Sequence, residues 1–281
     1  MQNVLQCTDH TVSRETFGIS ECQNCKLLIT NPQPETDSLG EYYKSEEYIS
    51  HTNSTKGVFN KLYQLVRKRT LRSKLNLLGK KKGQLLEIGC GTGELLSKCQ
   101  EAGWITTGVE PNNDARNLAA ENHSLNIQPS TDKLKIEAKS LDRIMLWHVL
   151  EHIPNLNETL EQLSLWLKED GKLLVAVPNP NSWDAKHYKE EWAAYDVPRH
   201  LSHFTRHSLE TLLSQHNLSI KQIKPMWFDA FYVAMLSEKI KTGKIRFFKG
   251  ALIGLLSNLI AASKTREFSS LIYIIEHRNA K

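Results

Sequence analysis

Three groups of residues have the types and spacing that chemistry needs. The first is Glu87-Ile88-Gly89-Cys90-Gly91-Thr92-Gly93. Glycines allow a sharp turn with positive φ and let a ligand approach bare main chain. A helix that follows offers free N–H groups and a positive dipole end. A dinucleotide fingerprint would place its third glycine where Glu94 stands, and an acid there would face a pyrophosphate unfavourably. Glu110, in Gly108-Val109-Glu110-Pro111, follows about 20 residues later, where a carboxylate can accept both hydroxyls of a ribose. Turn and acid together describe an adenosine-type ligand carrying little negative charge.

The second group is two histidine clusters. One is His148 with Glu151 and His152; the other is Asp196-Val197-Pro198-Arg199-His200-Leu201-Ser202-His203-Phe204. Histidine is suited to accept a proton near neutral pH, which makes His200, His152 and His148 candidate catalytic residues. Glu151 and His152 would equally cap and order the next helix, and His203 would equally be a satisfied half-buried histidine. Arg199 is suited to a bidentate grip on an acidic group. The third group is Cys7, His10, Cys22 and Cys25, which read C-x2-H-x11-C-x2-C. Such a set could close a tetrahedral zinc site, structural in role because four protein ligands leave no open position. The alternative is a module without metal whose cysteines are packed or surface thiols. Cys90 and Cys99 read as a small turn residue and a helix residue.

These groups must be positioned by elements that the apolar pattern outlines. Residues 1–57 are turn-rich and carry Tyr42, Tyr43 and Tyr48; residues 58–82 form a basic amphipathic helix and linker. From residue 83 short apolar strands alternate with helices: strands at 85–88, 105–109, 125–128, 141–146 and 172–177, helices at 94–102, 114–122 and 156–167. This alternation implies βαβ crossovers and a parallel sheet covered on both faces. A helix at 208–216, a strand at 218–223, an apolar helical insertion at about 226–268 and a final strand at 270–276 complete the 83–281 domain. In such a sheet, ligands lie beyond the carboxyl ends of the strands, so the glycine turn and both histidine clusters fall on one edge.

Composition bounds the classes. The chain has 281 residues, 40% hydrophobic and 24% charged, with a net charge of +5, values that exclude wholesale disorder and collagen-like repeats. The run Ala251–Ala262 is broken by Ser257 and Asn258 and is shorter than the ~20 residues a membrane span needs. The first residues lack the basic and apolar regions of a signal peptide. Five cysteines, an odd number, argue against a disulfide framework and for a reduced, cytoplasmic protein. Nine basic residues and no acid lie between Lys61 and Lys82. Without interleaved aromatics they read as a solvated face rather than a nucleic-acid track.

The motifs in order resemble those of class I S-adenosylmethionine-dependent methyltransferases of the small-molecule type. Leu85–Gly93 is similar to their first motif, Gly108–Pro111 to their ribose acid, Leu146–Ile153 to their segment after the fourth strand and Gly171–Asn179 to their fifth strand. The likeness runs from about Leu78 to Glu276. It implies an α/β fold with a doubly wound, mostly parallel seven-stranded sheet, the last pair antiparallel, preceded by a small cysteine module and carrying a helical insertion before the last strand. It also implies S-adenosylmethionine as cofactor. Glu87 would position the turn, while Gly89, Gly91 and Gly93 line the methionine. Glu110 would take the ribose, Asp132 (or Thr131) the adenine amine, and Trp147 and His148 would flank the sulfonium. The ubiquinone-biosynthesis O-methyltransferases of this class carry Glu-x-x-Glu-His at the first histidine cluster, associated with a divalent metal; here His148 replaces the leading Glu. The expected function is O- or C-methylation of a small-molecule acceptor. The apolar insertion suits a hydrophobic acceptor and equally an ordinary core helix. A nucleic-acid-directed enzyme or RNA-binding module using residues 61–82, a dinucleotide oxidoreductase and a catalytically silent scaffold remain as alternatives.

Overall fold

The computed structural model of the chain describes residues 1–43 and 58–278; residues 44–57, Tyr48 among them, and 279–281 lie outside the described residues. Two sheets organise it. The larger has seven strands: β4 (Gln84–Ile88), β5 (Ile105–Val109), β6 (Ile127–Gln128), β7 (Leu141–Trp147), β8 (Leu167–Pro178), β10 (Leu218–Pro225) and β11 (Ser270–His277). Their spatial order is β10-β11-β8-β7-β4-β5-β6. β4 pairs in parallel with β5 and β7, while β11 runs antiparallel to β8 and β10. The direction of winding reverses at β4, so a crevice opens between the carboxyl ends of β4 and β7.

Period-two alternation builds the two cores. Leu86, Ile144, Leu173 and Val175 face one layer, with Leu160, Leu163 and Trp166 from α4 (Leu156–Trp166) and Leu209 and Leu213 from α6 (Arg206–Ser214). Leu85, Met145, Leu174 and Ala176 face the other, with Leu95, Leu96 and Cys99 from α2 (Glu94–Glu101) and Ala119 from α3 (Asn113–His123). Both faces are thus covered, as buried parallel strands require. α1 (Val58–Leu77) lies on the second layer through Leu71 and Leu75. β8 begins five residues earlier than the apolar run suggests. Leu141 pairs with Leu167 and Arg143 with Lys172, so 168–171 form a bulge around Asp170 and Gly171.

The second sheet joins β1 (Gln2–Thr8), β2 (Thr16–Glu21) and β3 (Leu28–Asn31) as an antiparallel meander. It is completed from the far end of the chain: β9 (Ser202–His203) pairs with β3 through Leu28↔His203 and Ile29↔Ser202. The turn-rich amino-terminal region is therefore a sheet that shares its edge with the loop after β8. Buried Arg199 fastens the two. Its guanidinium donates to Asp196 at 2.6 Å and to Asp9 at 3.1 Å, to the Thr11 hydroxyl and to the Tyr42 carbonyl. Asp9 also accepts from the backbone N–H groups of Thr11 and Ser13.

The insertion before β11 is a helical hairpin, α7 (Asp229–Thr242) and α8 (Phe247–Ile260). Gly243 ends α7 in the left-handed conformation at φ 72°, as helix C-termini favour. Gly250 and Gly254 face Met235, Ala230 and Phe231 so closely that a Cβ would lie 2.7 and 2.8 Å from the nearest atoms.

Burial alone would raise the Asp9 pKa, but the Ser13 and Thr11 N–H groups and the Arg199 guanidinium overcome it and hold the carboxyl at about 2. Because the folded value lies below the unfolded one, the stabilisation is present above about pH 4 and is lost as pH falls toward 2. Chemical denaturation of Asp9→Asn between pH 6 and 2.5 is expected to show a flatter acid limb, by up to about 2 kcal/mol. Identical limbs for variant and wild type would remove this pair from the acid response.

Candidate functional site

The glycine turn sits at the crevice between β4 and β7. Gly89, Gly91 and Gly93 all have positive φ, at 69°, 55° and 76°. A Cβ on Gly89 would lie 2.3 Å from Val149 and one on Gly93 2.6 Å from Leu125, whereas Gly91 faces open space within 4 Å. Gly91 is therefore the bare stretch of main chain that a ligand can lie against. Gly93 precedes α2 without a side-chain cap, leaving the first N–H groups open to an anionic group. Glu110 stands at the end of β5. Its carboxylate accepts from Gly91 N at 2.9 Å and from Asn112 N at 2.9 Å, which fixes it on the rim of the same crevice. Asp132 does not join this set: it is exposed and pairs with Lys133 at 3.4 Å, because the segment after β6 turns outward there.

The floor of the crevice holds a lysine from α1. Lys74 of α1 places its ammonium 4.3 Å from the centroid of the Trp147 ring, a cation–π distance. Burial lowers its pKa, opposed by the charges of Glu87, Asp229 and Glu94. Glu87 is fully buried, its Oε2 has no hydrogen-bond partner, and burial raises its pKa. Glu87, whose pKa burial pushes up to about 8, and the Trp147 face thus lie beside Lys74, whose charged form burial disfavours.

Beside the floor lies the histidine cluster. His148, in the left-handed region at φ 55°, reaches Asp229 of α7 with Nε2 at 3.0 Å and Glu151 with Nδ1 at 3.4 Å. Burial would lower its pKa; the two carboxylates outweigh that and raise it to about 10. It is a cation at neutral pH, which corrects its assignment as a proton acceptor: here it is a positioning group. Glu151 is 1% exposed and neither oxygen has a hydrogen-bond partner. Burial works to raise its pKa, but His148, His200 and His152 hold it at about 2.

His152 and His200 pack edge to face, with centroids 4.6 Å apart. His152 Nδ1 lies 3.0 Å from the Arg199 carbonyl and 2.9 Å from the Tyr43 hydroxyl; His200 Nδ1 lies 2.9 Å from the Ala194 carbonyl. A carbonyl only accepts, so each Nδ1 carries a proton and each Nε2 faces away from these carbonyls. Burial and the neighbouring His200 keep His152 neutral, lowering its pKa to about 4; the same causes lower His203 to about 3. Glu151, His152 and His200 offer ligand atoms that all lie within 4.8 Å of one another. Glu151 and His200 border a narrow crevice with Pro178, Trp192, His203 and Phe204.

The cysteine set expected to hold zinc is not assembled. Among the described residues the one group of three or more with metal-ligating geometry is Glu151, His152 and His200. Cys7 points into the small core with Phe17, Ile19 and Val197, where burial pushes its thiol up to about 12. His10 is exposed in the turn after β1, while Cys22 and Cys25 contact each other at the knuckle. The functional acid of that turn is Asp9, the neighbour of the expected ligand. Lys74, Asp229, Tyr43 and Asp9 are site residues that the motifs did not single out.

A family model described as a methyltransferase domain matches residues 63–223. A ubiquinone biosynthesis O-methyltransferase of Glaesserella parasuis is 38% identical over 114 residues, 37% of this chain and 47% of that protein. One of Coxiella burnetii is 30% identical over 122 residues, 41% of this chain and 51% of that protein. The chain thus spans about half the length of the curated relatives it matches. A crystal structure of an S-adenosylmethionine-dependent methyltransferase from Archaeoglobus fulgidus superposes with a TM-score of 0.52 at 23% identity, over 75% of this chain and 93% of that one, and shares the fold. With more than half of its length inside that model, the chain belongs to the methyltransferase domain family, within the class I S-adenosylmethionine-dependent methyltransferases.

Proposed function

We propose that the chain transfers the methyl group of S-adenosylmethionine to a nucleophilic oxygen or carbon of a small, hydrophobic acceptor. What supports this is the cradle at the turn: the bare main chain of Gly91, whose N–H donates to the Glu110 carboxylate at 2.9 Å, beside the open N-terminus of α2. The Trp147 ring adds an aromatic face of the kind a sulfonium favours. The cofactor's ribose would lie on Glu110, and its methionine carboxylate at the open N-terminus of α2. Bound there, S-adenosylmethionine would supply an electrophilic methyl group. Transfer is an in-line displacement: the acceptor's lone pair bonds the methyl carbon as the carbon–sulfur pair returns to sulfur. Alignment and exclusion of water supply most of the catalysis. The acceptor's proton would pass to an imidazole Nε2, with His200 and His152 as the candidates. His148, held as a cation, orients Glu151 and Asp229 without taking part in the proton transfer.

The ubiquinone-biosynthesis group carries a divalent metal at this cluster; this chain departs from that pattern at His148, and its remaining residues would fit one in altered form. His148 is occupied by its two carboxylates and does not stand in for the missing glutamate. Glu151, whose Oε1 faces His148 at 3.4 Å and whose Oε2 has no hydrogen-bond partner, could with a ring nitrogen each of His152 and His200 supply three ligands, a set that suits a borderline cation. Their Nδ1–H groups rest on carbonyls, as outer-shell partners of ligating histidines do. A metal bound there would supply Lewis acidity to an acceptor oxygen.

Four of the nine cations between residues 61 and 82 are used inside the molecule. Arg67 pairs with Glu94, Lys81 with Asp170, and Lys74 and Lys82 lie over Trp147 and Trp104. This weakens an electrostatic track for nucleic acid.

Glu110→Ala is expected to lower S-adenosylmethionine affinity about ten- to hundredfold in calorimetry with an unchanged circular dichroism spectrum; wild-type affinity would refute the ribose assignment. His200→Ala is expected to lower turnover by about 10²–10⁴-fold while cofactor affinity moves less than threefold or so. Equal losses in both would make His200 structural. Titration of the purified chain with Zn²⁺ is expected to show one site that Glu151→Gln abolishes. Zinc uptake unaffected by that variant would place any metal elsewhere.

A further inference from the structure

The helix α8 is apolar on more than the face that packs. Its inner face is small: Gly250 and Gly254 sit against α7, and Ser257 donates to Asp184 at 2.6 Å. Its outer face carries Phe248, Leu252, Leu255 and Leu259, spaced i, i+4, i+7 and i+11 and therefore on one stripe. All four are exposed, Phe248 by 86%. Ile245 and Trp227 extend the apolar surface and are 62% and 47% exposed. A contiguous stripe of this kind marks a docking surface. At 14 residues α8 is too short to span a bilayer, and no helix of the described residues is long and apolar enough to cross one.

Charge identifies the occupant. From Lys239 to Arg266 the chain has seven basic residues and no acidic one. Lys241 and Lys249 pair with Glu191 and Glu238 at 2.7 and 2.9 Å, so the cations that bear on the occupant are those at the two ends of the stripe. Lys244 and Arg246 are exposed at the start of the stripe, Lys264 and Arg266 at its end. A second copy of the chain is disfavoured, because pairing two such stripes would bring two clusters of positive charge together. A purely apolar partner would leave the flanking cations without a role. An apolar face with cations at both ends fits the boundary between acyl chains and negatively charged headgroups.

We propose that the α7–α8 hairpin docks flat on an anionic lipid bilayer, with Phe248, Leu252, Leu255 and Leu259 among the acyl chains and Lys244, Arg246, Lys264 and Arg266 on the headgroup phosphates. Asp229, the first residue of α7, touches His148, so the docked hairpin is rooted at the crevice edge of the sheet. The surface stands on exposure and charge and does not depend on the methyl-transfer assignment.

Flotation of the full chain with phosphatidylcholine vesicles, with and without phosphatidylglycerol as about a third of the lipid, tests this without any turnover measurement. Partition at least about tenfold stronger on the anionic vesicles, weakening with added salt, is expected. Phe248→Glu combined with Leu255→Glu is expected to lower that partition at least about tenfold, with the circular dichroism spectrum and S-adenosylmethionine binding unchanged. Lys244→Gln with Arg246→Gln is expected to reduce the preference for anionic vesicles. No flotation, equal flotation on neutral vesicles, or a Glu double variant that still floats would overturn the proposal. So would a wild-type dimer in sedimentation that the Glu double variant dissociates, since the stripe would then be an interface between copies.

Discussion

A buried carboxylate without a hydrogen bond is the constraint around which the site is arranged. Glu151 is enclosed, and removing a charge from water is tolerated only where other charges or donors compensate. The compensation comes from imidazoles on different parts of the chain: His148 at the end of β7, His152 four residues on, and His200 from the loop before β9. Each is itself fixed from behind. Asp229 holds His148, the Arg199 carbonyl and the Tyr43 hydroxyl hold His152, and the Ala194 carbonyl holds His200. One acid therefore ties together the sheet edge, the helical hairpin, the amino-terminal region and the loop after β8.

Arg199 explains why the amino-terminal sheet belongs to this site at all. A small antiparallel meander has little core of its own, here Cys7, Phe17, Ile19 and Val197. It gains stability by borrowing β9 as its fourth strand and by placing Asp9 against a buried guanidinium. The same guanidinium is one residue from His200, and Thr30 of β3 donates to the His200 carbonyl and lies 3.1 Å from His203. A change in the meander would be transmitted to the imidazoles through rigid hydrogen bonds. A bound metal at Cys7 is not needed to account for its attachment.

Elements dictated by local periodicity were legible. β5 falls where its alternation puts it, α3 and α4 within a residue or so, and the glycine turn with its acid reads directly from spacing. What could not be read is long-range. Lys74 lies in a run of cations whose neighbours face solvent, and only the packing of α1 over Trp147 singles it out. Asp229 sits at the start of an apolar helix with no motif about it, 81 positions from the histidine it pairs with by residue number. The spacing of Cys7, His10, Cys22 and Cys25 suits a zinc knuckle, yet strand alternation turns Cys7 inward and leaves His10 in a surface turn. Ligand spacing along a chain restricts a metal site only if the backbone between the ligands is a loop free to close. Here it is a paired strand.

The crevice and the hairpin follow one electrostatic logic at two scales. Within the crevice, Glu87, Asp229 and the Trp147 face surround Lys74, whose charged form the acids favour and burial disfavours more strongly. On the outer surface the sign is reversed: residues 239–266 present only positive charge. Asp229 is where the two meet, an acid at the root of a cationic hairpin, satisfied by His148 rather than by any lysine of its own helix. That choice of partner keeps the hairpin's cations facing outward and the crevice's negative charge inward. A cationic ligand and a negatively charged surface can then be engaged on adjoining faces without competing for the same side chains.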